Sequence, residues 1–182
     1  MPVISVIIPL YNHAKELDAA LESLIKQSFR GFEVIIVDDA SRDDPSGVIS
    51  GWENKFREGA IGFRFIRHKE NLGAPAARNT GWRDSTGDYL FFCDADIRLE
   101  KDALKVFLKA LYKNPGAAFA YSSFKFGRKL FRLFPFNRER LRKMPYIHTA
   151  SLVRREDFPG FDESLKKFQD WDLWLTIAEK GK

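Results

Sequence analysis

Cysteine is almost missing from this chain of 182 residues, where Cys93 stands alone. A single thiol excludes an internal disulfide and fits a reducing compartment, so the expected setting is the cytoplasm. Long hydrophobic runs are missing as well: no apolar stretch approaches the roughly 18 residues of a membrane span. The first strand-like run begins at Val3, leaving no room for the basic and apolar regions of a secretory leader. A soluble domain is the expectation. A strong charge imbalance is also lacking. The net charge of +5 permits nucleotides, phospholipid surfaces or nucleic acid as partners and selects none of them. No repeat or low-complexity tract is visible.

What the chain has is an alternation of two hydrophobic periods. Four continuous apolar runs, Val3–Ile8, Val34–Val37, Phe63–Ile66 and Tyr89–Cys93, suit strands covered on both faces. Between them lie helical patterns. Leu17, Ala20, Leu21, Leu24 and Ile25 form one stripe, with Asn12 as a candidate cap. Ser41-Arg42-Asp43-Asp44 resembles a capping box opening a helix around Ser46–Phe56. Ala74–Arg83 reads as a third helix, and Leu104, Phe107, Leu108 and Leu111 mark a fourth that Asn114-Pro115-Gly116 closes. Strand and helix alternating at this spacing predict a parallel sheet with right-handed crossovers. Trp171, Trp174, Leu175 and Ala178 then outline a last amphipathic helix, after which the sequence stops at Lys182. With nothing following to pack around it, a C-terminally truncated domain is expected.

Ligands of open α/β sheets bind beyond the carboxyl ends of the strands. Asp38 and Asp39 follow the second run, Asp94 and Asp96 follow the fourth, and Pro9-Leu10-Tyr11-Asn12 follows the first. Three loops with an aromatic ring and four carboxylates thus share one sheet edge. Asp-x-Asp alone means little, and Asp170-Trp171-Asp172 is a second case. Its position after a buried strand is what favours function over turn capping for Asp94-Ala95-Asp96. In an extended segment the two carboxylates point to opposite sides and divide their work. Oxygen-only ligation suits Mg²⁺ or Mn²⁺, which take one or two carboxylates plus substrate phosphates.

Read in order, the motifs resemble family 2 glycosyltransferases, enzymes of the GT-A fold. Their pieces are Ser5 to Asn12, Val37-Asp38-Asp39-Ala40-Ser41, Asn71-Leu72-Gly73 with Ala77-Arg78-Asn79-Thr80-Gly81, and Gly87-Asp88-Tyr89 leading into Asp94-Ala95-Asp96. Gly160-Phe161-Asp162-Glu163 and Gln169-Asp170-Trp171-Asp172-Leu173-Trp174 complete the series. The resemblance implies a single catalytic domain over residues 1–182, with a Rossmann-like, mostly parallel sheet sandwiched by helices. Its nucleotide-binding part would span about 1–98 and its acceptor-side part about 99–182. The resemblance also implies roles. Tyr11 and the Pro9 loop would pack on the nucleotide base, and Asp39 would accept its imino N–H, as uracil or thymine offers. Asp94 would bond the ribose or share the metal, and Asp96 would hold the metal. Arg78 would either neutralise diphosphate charge or stand as an exposed helix arginine. Asn71-Leu72-Gly73 would shape its loop through a permissive glycine and a local Asn bond. Asp170 would be the general base, its alternative being a helix N-cap. The family's acidic pair before this helix is here Gln169-Asp170.

The expected reaction is an inverting, metal-dependent transfer from a nucleotide-sugar donor, UDP-sugar first and thymidine-diphosphate sugar second, to a glycan or lipid-linked acceptor. The alternatives are a non-catalytic sugar-nucleotide-binding module and a sugar nucleotidyltransferase. The latter would want a glycine-rich phosphate loop where Pro9-Leu10-Tyr11-Asn12 stands. Residues 125–143, within a basic loop of about 125–146, hold Lys125, Arg128, Lys129, Arg132, Arg138, Arg140, Arg142 and Lys143 against Glu139, with phenylalanines between. The segment reads either as a solvated flap with a few phenylalanines tucked inward or as a contact with anionic lipid, peripheral at the inner face of a membrane. Nucleic acid is not expected. His148, on an expected strand Ile147–Val153, is either a late metal ligand or a structural residue. Cys93 is expected to be inert packing.

Overall fold

The structure, a computed structural model, describes residues 1–181. Four strands, β1 (Ile4–Leu10), β2 (Phe32–Asp38), β3 (Gly62–Arg67) and β4 (Tyr89–Phe92), alternate with helices α1 (Ala14–Ile25), α2 (Ser46–Glu58) and α3 (Ala74–Asp84). Then come α4 (Ala103–Lys113), β5 (Phe119–Ala120), a hairpin of β6 (Phe124–Phe126) and β7 (Lys129–Phe131), α5 (Arg138–Lys143), β8 (Leu152–Arg154) and α6 (Gln169–Glu179). The main sheet runs β3-β2-β1-β4-β8-β5. Its first four strands are parallel, and β8 pairs antiparallel with both β4 and β5. The expected α/β sandwich is therefore present, with an antiparallel extension on the β4 side.

The continuous apolar runs are explained by what lies on either face. In β1 and β4, Ile4, Val6, Ile8, Tyr89 and Phe91 face one core with Leu17, Leu21, Leu24, Trp52, Phe56 and the buried stripe of α4. Their alternates Ile7, Leu90 and Phe92 face a second core with Val153, Phe158, Phe161 and Trp174. Both faces are dry, so period-two alternation of apolar and polar residues disappears. Close approach sets one residue type: a Cβ on Gly81 of α3 would stand 2.5 Å from Ile7 Cγ2. Glycine lets that helix lie directly on β1.

Two caps fall elsewhere than the local pattern indicates. Ser41 and Asp43 do not open α2. Ser41 Oγ accepts from Asn12 N at 3.0 Å, and Asp43 Oδ2 accepts from Ala14 N at 2.8 Å. Asp43 thus satisfies the start of α1, at whose cap position His13 rather than Asn12 sits. Asn12 Oδ1 instead accepts from Arg42 N at 2.8 Å. Helix α2 begins after Pro45, where Asp44 Oδ1 accepts from Ser46 N at 3.2 Å. The two loops supply each other's missing partners, a trade between residues about 30 apart that a local motif cannot register.

The strand expected over Ile147–Val153 is shorter. Ser151 N donates to Thr149 O at 2.7 Å and Ser151 Oγ to His148 O at 2.7 Å, turns that delay β8 to Leu152. His148 therefore precedes the sheet. Its Nδ1 accepts from Ala150 N at 3.0 Å and its ring lies 4.9 Å from that of Phe124.

Candidate active site

The strand order changes direction between β1 and β4: the chain builds outward from β1 through β2 to β3, then returns to place β4 on β1's other side. Loops leaving the carboxyl ends of β1 and β4 diverge there and leave a crevice. A cleft of about 430 Å³ lies at this point, within the range of small-molecule sites. Pro9 and Tyr11 after β1, Asp39 after β2, Arg78 on α3, and Asp94 and Asp96 after β4 all line it. His13, Asn71 and Gly73 complete the polar and backbone lining.

Asp38, the fourth carboxylate of the sequence pattern, is turned away from the cleft. It is fully buried, its Oδ1 accepts from Ser41 N at 2.9 Å, and its Oδ2 faces Arg67 Nε at 3.2 Å. That contact is an ion pair by distance rather than an aligned hydrogen bond, since the oxygen lacks a well-directed donor. Asp38 holds the β2–α2 loop in place.

Asp39 is buried beneath the cleft and gripped from three sides. His68 Nδ1 lies 2.7 Å and Leu72 N 2.9 Å from Oδ1, and Gly73 N lies 2.7 Å from Oδ2. A carboxylate can only accept here, so His68 Nδ1 carries the proton. His68 Nε2 meets Thr80 Oγ1 at 3.0 Å. Asn71 Nδ2 reaches the Asp39 backbone carbonyl at 3.2 Å, a long-range bond where a local one was expected. Gly73, at φ 93°, turns its N–H inward from a conformation that a side chain would strain. Of about four lone-pair directions on the carboxylate, Oδ2 retains one. His68 was missed by sequence reasoning. The available signal was its place directly after β3, a carboxyl strand end like those that carry Asp39 and Asp94.

Asp94 and Asp96 sit in a turn, closed by Ile97 N donating to Asp94 O at 3.0 Å, rather than in an extended segment. Pleat alternation therefore does not separate them. Their surroundings do. Asp94 Oδ1 accepts from Arg78 Nη2 at 2.7 Å, whereas Asp96 is exposed at the cleft wall with no hydrogen-bond or ion-pair partner among the described residues.

Arg78 faces the cleft and is not an exposed helix arginine: its side chain is 8% exposed. Its Nη1 donates to Gln169 Oε1 at 3.0 Å, so the guanidinium ties the β4 turn to the start of α6. The amide oxygen of Gln169 thus supplies an acceptor as a carboxylate would, and the absent charge does not remove the contact. The neighbouring Asn79 exchanges two bonds of 2.9 Å with the backbone of Phe161 and donates to Glu163 at 2.8 Å. Adjacent residues of α3 therefore fasten the cleft to the segment leading into α6.

Asp170 is half-buried in the first turn of α6 and lies outside the cleft lining. It is not the helix cap, a position that Phe168 holds in a left-handed conformation. Its Oδ1 accepts from Trp171 N at 2.9 Å. Burial, with Asp162 nearby, raises the pKa of Asp172 in the same turn. Cys93 is buried, and burial first, then the charges of Asp94 and Asp96, push its thiol pKa far up.

The family model for glycosyl transferase family 2 matches residues 5–166. An uncharacterized glycosyltransferase of Rickettsia felis is 32% identical over 196 aligned residues, covering 98% of this chain and 30% of its own length. Among solved structures, Staphylococcus aureus TarS residues 1–349 in complex with UDP superposes with a TM-score of 0.71 at 26% identity, over 94% of this chain and 53% of that one. The mannosyltransferase PcManGT of Pyrobaculum calidifontis, in complex with GDP-Man and Mn²⁺, shares the fold at a TM-score of 0.81 and 24% identity, over 99% and 53% of the two chains. This chain thus spans under a third of the length of the curated relative and about half of each solved chain. With a GT-A fold and a match to the family model along most of its length, the chain belongs to glycosyl transferase family 2.

Proposed function

We propose that this domain transfers a sugar with inversion from a nucleoside-diphosphate donor, UDP-sugar foremost, to a hydroxyl of a glycan or lipid-linked acceptor. The observation carrying this reading is the gathering of Tyr11, Asp39, Asp94 and Asp96 on one cleft at the β1/β4 divergence. Tyr11, 39% exposed, offers a ring face at the cleft mouth for a base. The remaining lone pair of Asp39 Oδ2 suits one imino N–H, the single donor on the pairing edge of uracil or thymine. A guanine presents two adjacent donors. UDP in TarS supports this choice.

No group of three or more His, Cys, Asp or Glu that could hold a metal occurs among the described residues. His148 therefore belongs to no such cluster. The unpartnered Asp96, with Asp94 beside it, fits a cation of the Mg²⁺ or Mn²⁺ type that takes its other ligands from diphosphate and water. Mn²⁺ beside GDP-Man in PcManGT is in keeping with this. Such an ion supplies stabilisation of the charge that develops on the leaving diphosphate.

The chain's own groups do the rest. Arg78 holds Asp94 and Gln169 in fixed relation, so the start of α6 keeps its position against the donor cleft. Asp170 follows Gln169, and its Oδ2 is the oxygen not engaged by Trp171. That Oδ2 takes the acceptor's hydroxyl proton as the acceptor oxygen bonds to the anomeric carbon and the carbon–oxygen bond to the diphosphate breaks. Calorimetry with UDP, with and without Mn²⁺, tests the donor half. Asp96→Ala should abolish the Mn²⁺-dependent gain in affinity, and an unchanged gain would remove Asp96 from the metal. Asp170→Asn should lower transfer by about a hundredfold or more while leaving UDP binding intact. Transfer that survives this change would sink the base assignment.

A further inference from the structure

More than half of the exposed large apolar side chains among the described residues fall between Phe126 and Met144. Of the phenylalanines in this segment, Phe134 and Phe136 touch Tyr146 and Phe119 yet stay 42% and 45% exposed. Phe124 alone of the hairpin rings packs back, against His148. Phe126 is 77% exposed, beside the Gly127-Arg128 turn that forms the hairpin tip, and Leu130, Leu133, Phe134 and Phe136 are exposed as well. Residues 125–143 carry eight cations against Glu139, which Arg142 already pairs at 2.8 Å. The side chains of Lys125, Arg128, Arg132 and Lys143 have no hydrogen-bond, ion-pair or ring partner among the described residues.

We propose that the β6–β7 hairpin and the segment through α5 form a docking surface for an anionic phospholipid bilayer, with Phe126 entering the headgroup region and the surrounding cations meeting lipid phosphates. Two properties set this partner apart. Stacking of successive bases needs a row of open ring faces, and among the hairpin rings Phe126 alone is left uncovered. Phe124 and Phe131 stack on each other at 4.8 Å, Lys129 lies over Phe131 at 4.8 Å, and Arg140 covers Phe134 at 4.4 Å. The single open ring of Phe126 and the aliphatic Leu130 and Leu133 suit insertion among acyl chains, and the leucines offer no stacking face to a nucleobase. A second copy of the chain is disfavoured by charge, since self-pairing through this face would oppose two strongly basic surfaces. An anionic membrane meets both the charge and the apolar wedge at once. The surface stands independently of the transfer reaction proposed above.

Co-sedimentation of the full chain with vesicles of equal parts phosphatidylglycerol and phosphatidylcholine, against phosphatidylcholine alone, tests this. Binding is expected only to the anionic vesicles and is expected to weaken as salt rises. Arg128→Gln with Arg132→Gln should reduce it about thirtyfold, and Phe126→Ser about tenfold. All three residues are exposed, so thermal melting should be unchanged. Lys105→Gln with Lys109→Gln on the exposed side of α4 should leave vesicle binding intact. Absence of binding to anionic vesicles would overturn the proposal, as would binding indifferent to Phe126→Ser or to the arginine changes. Salt-sensitive binding to poly(U) without vesicle binding would make the segment a nucleic-acid surface. Self-association abolished by Phe126→Ser, again without vesicle binding, would make it a dimer face. Either result overturns the proposal.

Discussion

Arg78 and Asp94 form an ion pair of 2.7 Å in which the arginine is nearly buried and the aspartate 31% exposed. The same guanidinium reaches Gln169 at 3.0 Å, and its Nε is buried without an acceptor. The pair is thus a joint between the β4 turn and α6 as well as part of the cleft wall.

A planar fork that serves two acceptors has no equivalent in an ammonium group. Arg78→Lys is expected to lower stability by about 1–2 kcal/mol in urea unfolding. It should lower kcat/KM by about tenfold or more, because Asp94 and the start of α6 lose their common anchor. A variant with unchanged kcat/KM would show that the joint does not matter to the reaction.

His68 acts on the donor site through Asp39. His68→Ala removes one of three donors to a buried carboxylate and loosens its aim. UDP affinity should fall by about tenfold, or ~1.4 kcal/mol, in calorimetry. Unaltered affinity would argue that Asp39 does not contact the base.

Cys93 lies beside the acidic turn yet should be unreactive. Its thiolate is disfavoured by burial and by the two carboxylates that follow. Iodoacetamide at neutral pH should leave the native chain unlabelled and modify it in denaturant. Rapid labelling of the folded protein would contradict the packing of β4.

Glu33 sets an acid limit on stability. Burial alone would raise its pKa, but the Ser5 hydroxyl, the Thr86 N–H and hydroxyl, and Arg64 together outweigh it and bring the net value below the ordinary 4.5. A carboxyl with a depressed folded value binds its proton more readily when unfolded. Its stabilisation is therefore present above about pH 4.5 and lost as pH falls through the folded value. Urea unfolding of wild type and Glu33→Gln should differ at neutral pH and converge in acid. A pH-independent gap would refute the account.

Sequence periodicity was a good guide where structure depends on neighbours in the chain. The stripe of Leu104, Phe107, Leu108 and Leu111 is the buried face of α4, and the four continuous runs are the four parallel strands. It failed where loops complete one another. Asp43 read as part of a cap for α2, yet it accepts from Ala14 because the β1–α1 loop lies beside it in space.

By itself the sequence determined the α/β class, the strand ends that carry Tyr11, Asp39, Asp94 and Asp96, and the order of motifs that marks the family. The first two follow from local hydrophobic period and from the rule that ligands gather at carboxyl strand ends, and the third from the resemblance of the motifs. Only the tertiary structure decided how the carboxylates are used. Asp38 turns away, Asp39 is clasped by His68, and Arg78 joins residues 16 and 91 positions away along the chain. Such bonds exist only once the sheet and its crossovers have closed. Their partners are chosen by proximity in space, which no residue's immediate neighbours encode.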